Sequence, residues 1–76
     1  MRKLKSLRTQ HNLNQIDLAE LLGISVVSYR NKENCHNQFT LDEAIKISSL
    51  FNESIEQIFF DTKVYIKETN NDKNSA

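Results

Sequence analysis

The sequence predicts an all-α domain of five helices, and three properties of the chain support that prediction. The chain has 76 residues, a length that suits one small core. It contains no proline and one glycine, whereas a β-sandwich or a small barrel needs many turn residues between its strands. Apolar residues recur instead at spacings of three and four, which is the period of a helix.

The first two helices are predicted to meet at an asparagine-rich turn. Asn12 to Asn14 interrupt the helical period, and the side-chain oxygen of Asn14 is expected to cap the second helix. Asp17 lies favourably in the positive first turn of that helix. Gly23 is expected to end it, because glycine adopts the left-handed conformation without a steric penalty. The inner faces are predicted to be Leu4, Leu7 and His11 in the first helix and Leu18, Ala19 and Leu22 in the second.

The third helix is predicted to begin directly after this turn. Ser25 is a good N-cap for a helix over Val26 to Asn34, and only Gly23 and Ile24 are left for the connection. Two helices joined so tightly must cross steeply. The polar residues that follow, from Cys35 to Phe39, are expected to form a loop.

Two capping boxes predict the start of the last two helices. Thr40 to Glu43 opens the fourth helix, which Asn52 is expected to end, and Ser54 to Gln57 opens a short fifth helix. The predicted inner faces are Leu41, Ala44, Ile47, Ser48 and Phe51 in the fourth helix and Ile55, Ile58 and Phe59 in the fifth.

The pattern changes after Phe60, so we expect one domain over residues 1–60 and a tail over residues 61–76. Val64 and Ile66 alternate with polar residues, which is compatible with one strand that could serve dimerisation. The polar residues 70–76 have nothing to bury and are expected to be disordered.

Residues 15–29 carry the main functional motif. The segment reads Gln-Ile-Asp-Leu-Ala-Glu-Leu-Leu-Gly-Ile-Ser-Val-Val-Ser-Tyr, with small Ala19 where two helices approach closely and Gly23 at the turn. It resembles the XRE family, the Cro and lambda-repressor type of helix-turn-helix. The resemblance extends from about Leu4 to Phe60 and is greatest to short regulators of prophages and mobile elements, which often carry a run similar to Tyr29 to Glu33. It implies a lambda-repressor-like fold and binding to double-stranded DNA.

The resemblance also implies that the third helix enters the major groove. Helical geometry then separates positions 26, 27, 30 and 31 from positions 25, 28, 29 and 32. In the first set, Asn31 can bind adenine bidentately, Arg30 can reach a guanine edge or a phosphate, and Val26 and Val27 can contact thymine methyl groups.

Contacts to the DNA backbone are expected on both sides of that helix. The family uses the glutamine that begins its second helix, near a phosphate or the first base, and Gln15 matches that glutamine here. Free N–H groups at the helix start after Asn14, including that of Gln15, suit a phosphate oxygen. The resemblance adds the loop after the third helix, whose predicted phosphate contacts are Asn34, His36, Asn37 and Gln38.

Arg8 and Glu33 are assigned a structural role, and three features depart from the family pattern: Cys35, Lys32, and the pair Val26 and Val27, which replaces polar readers that many members carry. The resemblance implies a salt bridge between Arg8 and Glu33, because a glutamate facing phosphate would oppose binding. Cys35 stands where the family usually has a glycine, so its backbone is either not left-handed or strained. Lys32 replaces an apolar residue, and we expect its stem to lie along the core while its ammonium reaches out.

Composition excludes several functional classes. The net charge is zero, although residues 1–38 carry +3 (six basic, three acidic) and residues 39–76 carry −3 (four basic, seven acidic). One cysteine cannot form an internal disulfide, and no metal cluster, catalytic constellation or glycine-rich phosphate loop is present in the sequence. We therefore expect no enzyme, no cofactor and no evident small-molecule ligand. The sequence has no long apolar segment, so we expect neither a signal peptide nor a membrane span. The expected location is therefore the cytoplasm.

The sequence thus predicts a transcriptional regulator that binds a DNA operator as a homodimer. One protomer offers a single reading helix, so a two-fold dimer is expected, with its contact made by the fifth helix together with Phe60, Val64, Tyr65 and Ile66. The alternative is a protein-interaction module with the same fold, such as an antirepressor or a toxin-neutralising protein. Zero net charge and the apolar pair Val26 and Val27 motivate that alternative.

Overall fold

The predicted all-α organisation is confirmed in the part of the chain that the structure describes. The computed structural model describes residues 1–60 and the backbone of residues 64–65. Its five helices are α1 (Arg2–Gln10), α2 (Gln15–Leu22), α3 (Val26–Glu33), α4 (Leu41–Phe51) and α5 (Ile55–Ile58). Two strands of two residues, β1 (Phe39–Thr40) and β2 (Val64–Tyr65), pair in parallel, with Phe39 opposite Val64.

Local side-chain caps fix the ends of α2 and α3. The Asn14 side chain accepts a hydrogen bond from the Asp17 N–H at 2.8 Å, and the Asp17 carboxylate accepts one from the Asn14 N–H at 2.9 Å. Gly23 ends α2 with φ at +70°. Ser25 caps α3 by accepting from the Ser28 N–H at 3.0 Å. The predicted boundaries hold, except that α3 ends one residue early, with Asn34 as its C-cap.

The caps of α4 and α5 differ in completeness. Thr40 and Glu43 form the reciprocal capping box that the sequence predicts, and Asn52 ends α4 in the left-handed conformation. Ser54 accepts from the Gln57 N–H at 3.1 Å, but the Ser54 N–H donates no return bond to the Gln57 side chain, so the second predicted box is half complete. This helix therefore begins with a simple N-cap.

The core is formed by the inner faces of all five helices and by Phe39 of β1. Edge-to-face contacts join Phe39 to Tyr29 and to Phe59, with ring centroids 6.0 and 5.4 Å apart. The buried apolar residues are Leu4, Leu7, Leu18, Ala19, Leu22, Tyr29, Phe39, Ala44, Ile47, Phe51, Ile58 and Phe59. No helix in residues 1–60 is both long enough and apolar enough to cross a membrane.

Two residues predicted to face the core are more exposed than expected. Leu41 is 36% exposed because it lies in the first turn of α4, at the margin of the face formed by Ala44 and Ile47. His11 is exposed just beyond α1, although its ring lies edge-on to Phe51 with the centroids 5.0 Å apart. Helical spacing identifies a face but does not show how far the core extends along it.

Most of the predicted tail, including Ile66 and the segment expected to be disordered, lies outside the described residues. The backbone of β2 is paired with β1 of the same chain. The dimer strand and the division at residue 60 stay predictions.

Candidate nucleic-acid interface

The helices α2 and α3 are joined by three residues, 23–25, and this connection fixes how α3 is presented. The Ile24 N–H donates to the Ala19 carbonyl at 3.0 Å, and the Gly23 N–H donates to the Glu20 carbonyl at 3.2 Å. Small Ala19 is buried where the chain turns back. These bonds hold Gly23 and Ile24 against the end of α2, and Ser25, the N-cap of α3, follows directly.

The third helix has one buried side and one open side. Tyr29 and Glu33 are fully buried. Val27 is 57% exposed and Arg30 is exposed, whereas Asn31 is half-buried. Val26 packs partly against the core, so less of this side chain is open than of Val27. The four predicted base-reading residues thus differ in access, and Val27 and Arg30 extend furthest into solvent.

The buried Glu33 carboxylate joins three helices. It accepts from Arg8 of α1 through Nε at 2.7 Å and through a terminal nitrogen at 3.1 Å. It also accepts from Gln15 of α2 at 3.0 Å and from the Tyr29 hydroxyl of α3 at 2.8 Å. The Arg8–Glu33 salt bridge expected from the sequence is therefore present, and Arg8 also donates to the Leu13 carbonyl at 3.0 Å.

The charges in this cluster are fixed by their neighbours. Burial raises the pKa of the Glu33 carboxyl, but hydrogen bonds from Arg8, Gln15 and Tyr29 outweigh burial and hold its pKa below its usual range. The hydrogen bond to Glu33 raises the pKa of Arg8. Burial and then the Glu33 charge raise the pKa of Tyr29 far above its usual value. Glu33 and Arg8 are thus ionised near pH 7, while Tyr29 is a neutral donor.

Gln15 is engaged within the protein, which differs from the open phosphate contact implied by the sequence. Its Nε2 donates to Glu33, and its Oε1 accepts from Arg30 Nε at 3.3 Å. Asn14 is likewise occupied as the cap of α2, although it is exposed. Sequence reasoning placed Gln15 and Arg30 on the same surface but missed the bond between their side chains.

The loop after α3 is polar and exposed. Cys35 has φ at +67°, which settles the alternative left open by the sequence in favour of a left-handed, strained residue. The His36 N–H donates to the Asn31 carbonyl at 2.8 Å, which ties the loop to the last turn of α3. The exposed residues expected to contact phosphate are Asn34, His36, Asn37 and Gln38.

Lys32 does not extend its ammonium freely into solvent as the sequence suggested. Its Nζ lies 2.7 and 2.8 Å from the two carboxylate oxygens of Glu43, and both side chains are largely buried. Glu43 Oε1 also accepts from the Thr40 N–H at 2.9 Å. This ion pair joins α3 to the start of α4. The sequence identified Glu43 as a residue of the capping box. It did not predict the ion pair with Lys32, because no spacing rule links residues eleven positions apart.

The described residues contain no group of three or more His, Cys, Asp or Glu side chains that could hold a metal ion. A shallow groove of about 280 Å³ lies beside α1 and is lined by Arg2, Lys3, Ser6 and Phe60.

Comparison with known proteins identifies the helix-turn-helix organisation of the chain. A family model described as helix-turn-helix matches residues 4–58, which include all five helices except the start of α1. No curated protein and no solved structure matched the chain.

Proposed function

This chain belongs to the XRE-type helix-turn-helix family of DNA-binding transcription regulators, and we propose that it binds a specific double-stranded DNA operator through α3. The observation that carries the proposal is the division of this helix into a buried and an open side. Tyr29 and Glu33 hold one side in the core, while Val27 and Arg30 are exposed on the other. A helix held in this way can enter the major groove without rearranging the domain.

The open side has the chemistry needed to read base edges. Arg30 can donate two hydrogen bonds to guanine, and Asn31 can bind adenine bidentately. Val27, and the exposed part of Val26, can contact thymine methyl groups. We assign these four residues to base recognition.

Backbone contacts are proposed on either side of α3. At the start of α2, backbone N–H groups at Gln15, with Asn14 beside them, suit a phosphate oxygen. Polar side chains after α3 would contact the backbone at the other end: Asn34, His36, Asn37 and Gln38. These contacts would set the register of α3 without reading sequence.

We further propose that the regulator acts in the cytoplasm as a homodimer of the Cro/repressor type, as in short prophage regulators. One reading helix makes a small interface, so two copies on half-sites about one helical turn apart are expected. The proposed contact uses α5 with Phe60 and the strand that includes Val64 and Tyr65. Ile66 completes it in the sequence but lies outside the described residues.

Selection of bound duplexes from a random pool tests the proposal, because it reports both whether and what the protein reads. On the selected operator, Asn31→Ala should cost ~1 to 3 kcal/mol at one base pair. Arg30→Ala should also reduce the salt dependence of binding. Lys46→Ala, which removes a positive charge from an exposed position of α4, is the matched control and should change neither. Equal losses on selected and random duplexes for Asn31→Ala would contradict base reading.

The alternative is a protein-interaction module, such as an antirepressor or a toxin-neutralising protein. It is favoured by the exposed apolar residues Val27 and Ile16, which are 57% and 55% exposed, and by the zero net charge. Gel-shift measurements on random and upstream-region DNA separate the two functions. An absence of binding even at about 50 mM salt, where phosphate contacts are strong, would favour the protein partner.

A further inference from the structure

The side-chain amide of Gln15 connects a buried charge to an exposed one. Its Nε2 donates to Glu33 and its Oε1 accepts from Arg30 Nε. A carboxylate only accepts hydrogen bonds and a guanidinium only donates them. Turning the amide by 180° would place its oxygen against the Glu33 carboxylate, acceptor against acceptor, and its NH2 group against the Arg30 guanidinium, donor against donor. The charges on Glu33 and Arg30 therefore fix the orientation of the Gln15 amide.

The buried end of this chain of bonds is rigid. Glu33 is fully buried and is held by Arg8 and Tyr29 in addition to Gln15. Arg30, in contrast, is exposed and has a long side chain, and ordering that side chain costs conformational entropy. A fixed acceptor at Gln15 limits the positions that the Arg30 guanidinium visits before any ligand binds.

We infer that Gln15 is a positioning residue that holds Arg30 for base recognition, with Glu33 as its fixed anchor; this inference rests on the proposed function. Gln15 engages Nε of Arg30, which leaves both terminal nitrogens for the O6 and N7 acceptors of guanine. Gln15 thereby contributes to specificity through Arg30 and not through a base contact of its own.

This role makes a different prediction from a phosphate contact by the Gln15 side chain. Loss of a phosphate contact weakens binding to all sequences alike and lowers the salt slope. Loss of Arg30 positioning weakens binding to the operator selectively. The Gln15 substitution then has this effect only when Arg30 is present. The two roles therefore separate in a double-mutant cycle.

The cycle compares wild type, Gln15→Met, Arg30→Ala and the double variant on the selected operator and on random duplex at two salt concentrations. Gln15→Met should lower the operator-to-random affinity ratio about tenfold, whereas in the Arg30→Ala background it should change operator affinity less than about twofold. Gln10→Met makes the same substitution at an exposed position of α1 and should leave the ratio unchanged.

A second variant covers the case in which loss of the Glu33 contact unfolds Gln15→Met. Gln15→Lys keeps a donor for Glu33 but offers no acceptor to Arg30. It adds a positive charge, so its affinity for random duplex should rise while the operator-to-random ratio falls. An unchanged ratio for a folded Gln15→Lys protein would overturn the positioning role.

NMR of the free protein supplies a readout that needs no DNA. The NMR signal of the Arg30 Nε–H group should show restricted motion in wild type and Gln10→Met, and free motion in Gln15→Lys. Additive losses in the cycle, or an Arg30 signal that does not respond to Gln15, would overturn the inference while operator binding by wild type still stands. Failure of wild type to bind any duplex would overturn the proposed function and the inference together.

Discussion

At the residue scale, Glu33 explains how a small domain tolerates a buried charge. Its carboxylate accepts four hydrogen bonds from three side chains, so little of its desolvation is left uncompensated. A complete set of partners does not make the charge strongly stabilising in itself. Removing its ionic partner, however, leaves a buried charge unpaired, and that loss costs more free energy than the intact pair contributes.

Arg8→Ala should therefore destabilise the domain by about 3 to 5 kcal/mol, because Glu33 would lose its only ionic partner among the described residues. Urea denaturation followed by circular dichroism measures this loss. Lys5→Ala removes the same charge from an exposed position of α1 and should change stability by less than about 0.5 kcal/mol. Equal effects of the two variants would contradict the role assigned to the buried pair.

The lowered pKa of Glu33 predicts a pH-dependent contribution to stability. The folded pKa lies below the unfolded value of about 4.3, so this contribution is fully present above that value and is lost as pH falls through the folded pKa. Glu33→Gln should accordingly be less stable than wild type near pH 7, and the difference should shrink in acid. Stability curves of both proteins from pH 7 to pH 2 provide the test, and a constant difference would refute it.

The sequence predicted the Arg8–Glu33 pair through its resemblance to a family. Helical geometry predicted that Val27 and Arg30 of α3 face outward, but it did not predict that Val26 packs partly against the core or that Asn31 is half-buried. It did not predict that Gln15 bonds both Glu33 and Arg30. Such a bond depends on the relative placement of α2 and α3 to within an ångström, whereas residue spacing gives only their faces. The same limit hid the partner of Lys32.

At the scale of the elements, a left-handed residue lies just beyond each of the first four helices, and these residues are Asn12, Gly23, Cys35 and Asn52. Gly23 and Asn52 suit this conformation because glycine has no Cβ and asparagine tolerates it. Cys35, with φ at +67°, has neither property. The loop that leaves α3 thus carries a conformational cost that a glycine would remove.

Cys35→Gly and Gly23→Ala should change stability in opposite directions. The first relieves left-handed strain and should stabilise by about 0.5 to 1 kcal/mol, after the greater freedom of glycine in the unfolded chain is subtracted. The second introduces such strain and should destabilise by about 1 kcal/mol or more, although nothing lies within 4 Å of the added Cβ. Thermal and urea unfolding measure both, and a destabilised Cys35→Gly protein would contradict the account of the loop.

Most element boundaries were predictable because they depend on residues three or four positions apart. Asn14, Ser25 and Thr40 each cap a helix where the sequence placed the cap. The pairing of β1 with β2 was not predicted, since it joins two-residue strands 25 positions apart (64 minus 39) and no local pattern specifies the partner. The missing half of the Ser54 box shows that a suitable residue at the right spacing does not ensure the return bond.

At the scale of the whole molecule, the described core lies entirely between Leu4 and Phe59. A chain ending at Phe60 would lose β2 and its backbone hydrogen bonds, each of which contributes roughly 1 kcal/mol. The remaining chain keeps every buried residue of the five helices.

A chain of residues 1–60 should consequently retain its helical circular dichroism and unfold cooperatively at a lower urea concentration. If residues 61–76 contribute to the dimer as proposed, sedimentation should show a monomer, and affinity for a two-half-site operator should fall towards that for one half-site. A dimeric shortened chain with wild-type affinity would remove the tail from the proposed interface.

The two-sided organisation of α3 has a consequence for how such regulators diversify. The inward residues Tyr29 and Glu33 secure the domain, so substitutions at positions 27 and 31 can retarget the helix to a new operator at little cost in folding, whereas Val26 packs partly against the core. Arg30 is the exception, because its neighbour Gln15 is committed to it and to Glu33. Successive changes of target should thus be least constrained at positions 27 and 31 and correlated at position 30, where residues 15 and 30 must evolve as a pair.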